Sequence, residues 1–427
     1  MPETPSTADR TDRSVRTVPP SGSAAERPRL AWLDALRGIG AMAVVAEHML
    51  PWLAPNIRPY WFNLGIYGVM TFFLVSGYII PASLEHRGDV RTFWVSRVFR
   101  LYPIYLLVIA VALVASIWLP VRPQVPRDLT AVAEHLTMLM DVVDGAGIVD
   151  TMWTLSYEMV FYLLVTALFT AGLHRHSGAI AIVFGLVAVG AGLVLVSPLL
   201  PGRPAAVVSA VVFVAGLCCL ISGRWRVPAA YLLGAMALVL LLFGSRVAWF
   251  GAAILAVMFA GTAIYRWERG TGGLWPVAAV AVLVGVAPVW AIRAGWWWVQ
   301  PGPWLTTLAL AAATFAGMMA LRRRRVPRPL VWLGLISYSV YLLHHPVLRW
   351  LDAIVGDVRA ADAIVQASLI VVYLAVVLAL SRLTYGLVER PAQRLGRRLS
   401  ARLVQRGNVA PGPSRREPAS SETVTRR

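Results

Sequence analysis

Stretches of about 20 mostly apolar residues recur along most of this chain, parted by short polar runs. A helix of that length matches the hydrocarbon thickness of a bilayer, and in lipid a spanning backbone must satisfy its own hydrogen bonds. The pattern therefore points to an all-α, polytopic transmembrane helix bundle. Candidate segments lie near 33–53, 65–83, 101–120, 151–171, 179–198, 206–222, 230–243, 247–264, 274–292, 303–321, 330–350 and 363–386. The pair 230–243 and 247–264 is short, and Gly244-Ser245-Arg246 between them reads equally as a kink or a re-entrant turn. The expected count is therefore about 10–12 spanning helices.

Composition agrees. Of 427 residues, 58% are hydrophobic and only 14% charged, against roughly 25% charged in soluble domains. The net charge is +18 and every basic side chain is Arg. Such a balance can mark a nucleic-acid binder, but these Arg residues sit between apolar segments and in the tails, where topology-setting charge belongs. The expected partner is the lipid bilayer, with no nucleic acid. Cys218 and Cys219 are adjacent in an apolar run and imply neither a disulfide framework nor a metal site.

Arg placement sets an orientation. With the N-terminus inside, the inner loops hold Arg87, Arg91, Arg97, Arg100, Arg175, Arg224, Arg226, Arg266, Arg269, Arg322 to Arg325 and Arg328. The outer loops hold fewer: Arg58, Arg122, Arg127, Arg203, Arg246, Arg293 and Arg359. The bias predicts both termini in the cytoplasm, in a multi-pass protein of the plasma membrane. Residues 1–30 read as a disordered cytoplasmic tail, 31–390 as the membrane domain, and 391–427 as a basic, disordered cytoplasmic tail. The long outer connection 121–150 carries Glu134, His135, Asp141, Asp144 and Asp150, and Trp296 to Trp298 read as an interfacial aromatic anchor.

Four polar groups stand out, because charge at membrane depth is costly. Arg37 and His48 are 11 residues apart, just over three turns, so they share a helix face about 16 Å apart along the axis. The plain alternative is an interfacial Arg and a core His; Glu47 beside them points elsewhere and would pair with an Arg. Arg97 and Arg100 share a face at i, i+3 and can clamp phosphate, or can be ordinary flanking charge. Glu158, in Trp153-Thr-Leu-Ser-Tyr-Glu158, is expected about 10 Å below the outer surface, as a catalytic carboxylate or a structural ion-pair partner. His344, in Ser337-Tyr-Ser-Val-Tyr341-Leu-Leu-His344-His345-Pro346, falls in an outer half-helix, where solvation alone would also suit it. By rise counting, His48, Glu158 and His344 reach similar depth, and Arg37, Arg97 and Arg100 gather at the inner side. An anion site inside and a titratable cluster outside suit a donor entering from the cytoplasm.

In these fragments the chain resembles the acyltransferase-3 family of integral membrane O-acyltransferases. The matching pieces, in family order over about 35–390, are Asp34-Ala-Leu-Arg37-Gly38 through His48, Phe72-Phe73-Leu-Val-Ser76-Gly77-Tyr78, Arg97-x-x-Arg100 before Tyr102-Pro103, Trp153 to Glu158, and Ser337 to Pro346. Departures are minor: Tyr78 stands where Phe is common, and Thr154 where Ser is common. The resemblance implies His48 as the catalytic residue and Arg37, Arg97 and Arg100 as the groups that serve the acyl donor. Many relatives carry a soluble acyl-transferring domain after the membrane part; this chain ends soon after Pro391, so a second transfer step would need another protein.

The expected reaction moves an acyl group, acetyl or another short acyl, from acyl-CoA to a hydroxyl of a sugar-containing acceptor. His48 would be base or nucleophile, with Glu158 or His344 orienting it or binding the acceptor. No cofactor is expected to be permanently bound; acyl-CoA is a co-substrate. A transporter or exporter of a lipid-linked or glycosylated substrate is the alternative, and it predicts an internal repeat that the sequence does not display. A membrane glycosyltransferase would favour paired outer carboxylates, of which Asp141, Asp144 and Asp150 are a faint version. The sequence leaves the acceptor, the acyl length and the oligomeric state open.

Overall fold

A computed structural model describes residues 30–119, 125, 128–194 and 198–408. The expected disorder of residues 1–29 and 409–427 lies outside the described residues. Helices run in the order Ala31–Leu53 (α1), Leu64–Arg87 (α2), Val90–Ala115 (α3), Leu129–Thr137 (α4), Trp153–Thr170 (α5), Ser177–Val194 (α6), Gly202–Ser222 (α7), Arg226–Val239 (α8), Ala248–Glu268 (α9), Trp275–Val286 (α10), Pro301–Ala320 (α11), Arg328–Val355 (α12), Ala363–Thr384 (α13) and Arg390–Asn408 (α14). Ten helices among the described residues are long and apolar enough to cross a membrane. Two further segments expected from the sequence also fold as helices. One is α10, which belongs to the shorter apolar stretch Trp275–Trp290. The other is α1, whose Asp34, Arg37 and Glu47 lower its apolarity.

The suspected kink at Gly244-Ser245-Arg246 is a tight connection between two separate helices. A π turn at Leu240–Gly244 ends α8, and the Ser245 N–H donates to the Leu240 carbonyl at 3.0 Å. Two boundaries differ from expectation. The third helix starts near Val90 rather than 101, because Asp89 caps it by accepting from the Arg91 and Thr92 amides at 3.2 and 3.1 Å. Arg97 and Arg100 therefore stand two to three turns inside α3. Residues 391–408, expected as disordered tail, are helical, since α13 runs on through a π turn at Tyr385–Glu389 into α14. Gly396, Leu399 and Leu403 recur at helical spacing on its less exposed side, and at Gly396 the backbone packs against Phe99 of α3.

Helix α1, which carries Arg37 and His48, is held against α12 on one side and α2 on the other. In membranes such contacts rest on close van der Waals approach of small residues. A Cβ on Gly38 would stand 2.9 Å from the Gly334 nitrogen and from the Leu330 carbonyl oxygen of α12, and a Cβ on Gly40 would stand 3.0 Å from the Gly68 carbonyl oxygen of α2. These two glycines set how near α12 and α2 come to α1. Three cross-links from α12 then fix its rotation: Tyr341 Oη to the Thr151 carbonyl at 3.0 Å and to Thr154 Oγ1 at 2.7 Å, and Tyr338 Oη to the Leu101 carbonyl at 3.2 Å.

At the end of the bundle where α1 and α3 begin and α2 and α9 end, Arg side chains are tied to acids. Arg266 of α9 donates to Glu85 of α2, to Ser177 at 3.0 Å and to the His174 carbonyl at 2.7 Å. Glu268 accepts from Tyr78 and pairs with Arg322 at 2.9 Å. The opposite end is covered by α4 and the turns that follow it. There Asp141 accepts from Tyr157 at 2.6 Å, and Arg246 pairs with Asp144 at 3.1 Å.

Candidate functional site

Helix α2 lines three cavities in succession. Tyr78, Ile79, Ala82, Ser83, His86 and Arg87 wall a wide vestibule at the Arg-rich end, with Arg269 and Arg397 on its other sides. Val69, Phe72, Phe73 and Ser76 line a middle chamber. Gly65, Ile66 and Val69 line an outer chamber. Val69 and Tyr341 belong to both chambers, which therefore adjoin. From Arg87 to Ile66 the helical rise is about 32 Å.

The middle chamber has about 490 Å³ of empty space and brings Arg37 of α1 together with Glu158 and Thr154 of α5 and Ser337, Tyr338 and Tyr341 of α12. Arg37 lies in the field of Arg100, Asp34 and Glu158, and Glu389 in that of Arg100 and Arg37. Tyr162 donates to Glu158, and Ser339 donates to Glu389. Arg97 is buried, its guanidinium 5.2 Å from the Phe93 ring and 5.4 Å from the Tyr162 ring, and its Nε makes no hydrogen bond among the described residues. Arg37, Arg97 and Arg100 thus share one low-dielectric region with Asp34, Glu158 and Glu389.

The outer chamber holds His48. Its Nδ1 lies 2.9 Å from the Val44 carbonyl, one turn earlier on α1. A carbonyl only accepts, so Nδ1 carries the proton and Nε2 keeps its lone pair. His344 of α12 is fully buried and repeats the arrangement, Nδ1 to the Val340 carbonyl at 3.0 Å, and its Nε2 faces His48 Nδ1 at 3.3 Å. A donor atom from each of His48, His345 and Asp150 lies within 4.8 Å of the others. Two imidazoles and a carboxylate can relay protons or, equally, ligate a divalent metal.

The structure brings His48 and His344 together, and Arg37, Arg97 and Arg100 into one charged region. It separates Glu158 from the histidines, contrary to the expected common depth. Glu158 lies about 12 Å further along by helical rise than Asp150, the acid that does reach them, and it joins the Arg group instead. The sequence had marked Asp150 only as one of several outer-loop acids, although it stands three residues before Trp153. His345 was legible as the neighbour of His344. Trp298, read as an interfacial anchor, lines the outer chamber with Trp153; nothing in its spacing marked that. Glu47 pairs with Arg58 at 2.6 Å, as expected, but it lines the same outer chamber as His48 rather than pointing elsewhere. His135 is structural: its Nδ1 meets the Ala131 carbonyl at 2.7 Å, its Nε2 accepts from the Ile148 amide at 3.0 Å, and burial lowers its pKa.

A family model described as an acyltransferase domain matches residues 30–385. Among curated proteins the chain is similar to the O-acetyltransferase OatA of Staphylococcus aureus, 23% identical over 388 residues that take in 85% of this chain and 57% of the relative. The chain thus spans little more than half the length of that protein. It is also similar to the acyltransferase MdmB of Streptomyces mycarofaciens, 27% identical over 390 residues, or 87% of this chain and 93% of the relative. No solved structure matches.

Proposed function

Because the chain belongs to the acyltransferase-3 family, we propose that it transfers a short acyl group from acyl-CoA to a hydroxyl of a sugar-containing acceptor, with His48 as general base. The observation that carries this reading is the fixed tautomer of His48. The Val44 carbonyl takes its Nδ1–H, so a basic Nε2 remains at a chamber that adjoins the one lined by Arg37.

In this reading the Arg-rich end faces the cytoplasm of a plasma-membrane protein, in keeping with the positive-inside bias. Acyl-CoA enters from that end. Its phosphates meet Arg97, Arg100 and Arg37 through charge-assisted hydrogen bonds, and its pantetheine arm runs along α2 towards His48. His48 Nε2 takes the acceptor hydroxyl proton as the oxygen attacks the thioester carbonyl. The tetrahedral adduct collapses, the carbon–sulfur bond breaks, and the proton passes from His48 to the departing thiolate. His344 Nε2 accepts from His48 Nδ1–H throughout and stabilises the transient imidazolium. Glu158 keeps Arg37 in place and does not touch the base.

The test is His48→Ala beside His48→Gln in purified protein, with free thiol release and acylated acceptor both measured. General-base loss is worth roughly 10²–10⁴-fold, and both variants should fall at least that far while folding normally. Gln fills the space and bonds, but cannot take the proton. Near-normal turnover by His48→Gln would remove the base assignment.

A further inference from the structure

The outer chamber, about 460 Å³ of empty space, has a lining of two chemical kinds around His48. The first is aromatic. Trp298 is held in a stack, 5.8 Å from Trp296 at 9° and 6.4 Å from Trp249 at 24°. Trp153 rests against Phe250 at 5.8 Å and Tyr157 at 5.9 Å. Both indoles are thus fixed before anything binds.

The second kind is polar with spare capacity. An ionised carboxylate offers about four lone-pair sites. Glu47 uses three, accepting from Arg58 at 2.6 Å and from Asn63 Nδ2 and the Gly65 amide at 3.4 Å. Asn63 accepts from the Ile66 amide at 2.7 Å and donates one N–H to Glu47, which leaves one N–H and one lone pair. Arg58 pairs with Glu47 and lies 5.2 Å from each of the Tyr60 and Trp297 rings, while its buried Nε makes no hydrogen bond among the described residues. The residues that line the chamber include the Glu47 carboxylate and no Arg, which disfavours an anionic acceptor. A plain alkyl chain would offer no partner to the spare sites of Glu47 and Asn63.

Resting on the acyl-transfer reading, we propose that this chamber is the acceptor subsite and takes an uncharged pyranose ring. The ring's C–H face lies on Trp298 and Trp153, because polarised C–H groups suit the negative face of an indole. Its edge hydroxyls bond to Glu47 and Asn63, and one hydroxyl meets His48 Nε2. Few polar groups in an otherwise apolar cavity are what fix orientation in small-molecule sites.

The test uses the purified full chain in nanodiscs. The probes are methyl glycopyranosides of glucose, galactose, mannose, rhamnose and N-acetylglucosamine, with cyclohexylmethanol as an alcohol of similar bulk. Binding is first measured without donor, by saturation-transfer NMR, and transfer is then measured with acetyl-CoA. At least one pyranoside should bind with its ring C–H protons saturated and should be acylated in preference to cyclohexylmethanol. Trp298→Leu should raise its KM about tenfold or more, against less than a twofold change in the KM for acetyl-CoA. Trp298→Phe, which preserves packing in the aromatic cluster, should fall between, and Glu47→Gln should also weaken the pyranoside. Cyclohexylmethanol acylated while no pyranoside binds would overturn the subsite and leave acyl transfer standing. Equal pyranoside binding by wild type and Trp298→Leu would place the sugar elsewhere and overturn it too. Pyranoside binding lost in Trp298→Leu, without transfer from any acyl-CoA, would uphold the subsite and refute the acyl-transfer reading.

Discussion

His344→Ala gives the sharpest measure of how the two histidines divide their work. In the wild type, His48 Nδ1–H is shared between the Val44 carbonyl at 2.9 Å and His344 Nε2 at 3.3 Å. Once His48 has taken the acceptor proton, that N–H belongs to a cation, and a hydrogen bond to a charged group is worth roughly 1.5–3 kcal/mol. A separation of 3.3 Å is long, which favours the lower end. At about 1.4 kcal/mol per decade, kcat should drop roughly tenfold, with a ceiling near a hundredfold. The interaction strengthens with the imidazolium, so KM for either substrate should hardly move. His344→Gln can set its amide oxygen near the lost Nε2 and should recover most of the rate. The assay is thiol release from acetyl-CoA by detergent-purified protein at saturating acceptor, with thermal unfolding run in parallel, since truncation of a fully buried side chain leaves a cavity. His344→Ala as inactive as His48→Ala in a folded protein, or His344→Gln no better than Ala, would refute the division of base and supporting acceptor.

Arg97→Ala and Arg100→Ala should each raise the KM for acyl-CoA about tenfold or more, by losing charge-assisted phosphate contacts of roughly 1.5–3 kcal/mol. Lys at either position should restore only part of it, and Arg97→Ala should also lower thermal stability, because its guanidinium packs between Phe93 and Tyr162. Unchanged donor KM in both Ala variants would reduce them to flanking charge. Glu134, in α4 outside the spanning helices, is pushed up to about 7 by burial, with Asp128 and Asp144 adding to it. A carboxyl raised in this way adds stability that is complete below its ordinary range and is lost as pH rises through about 7. Glu134→Gln should therefore raise the unfolding temperature at pH 8 and make little difference at pH 4; equal shifts at both would contradict the burial account. A chelator should leave turnover unchanged if His48 works as a free base. Loss of activity with EDTA, recovered by Zn²⁺, would recast His48, Asp150 and His345 as a metal centre.

Much of the architecture follows from one-dimensional pattern. The length and apolarity of segments specify spanning helices, and 3.6 residues per turn puts Arg37 and His48 on one face of α1 at two depths. The same arithmetic could not see that Asp89 caps α3 ahead of the apolar run, nor that the Arg-rich 391–408 carries an apolar stripe able to pack on α3. Nor could it say which helices are neighbours. His48 and His344 are 296 residues apart, and they meet because Gly38 and Gly334 let α1 and α12 approach to backbone contact. Asp150 displaces Glu158 as the acid beside His48 because the chain turns into α5 at Trp153, which carries Glu158 a turn and a half down to Arg37. Trp298 changes from a presumed membrane anchor to a chamber wall because it stacks on Trp249 of α9. Rise and period fix depth and face within a helix, whereas contact between helices depends on small residues and shape far apart in the chain, and only the packed bundle combines them.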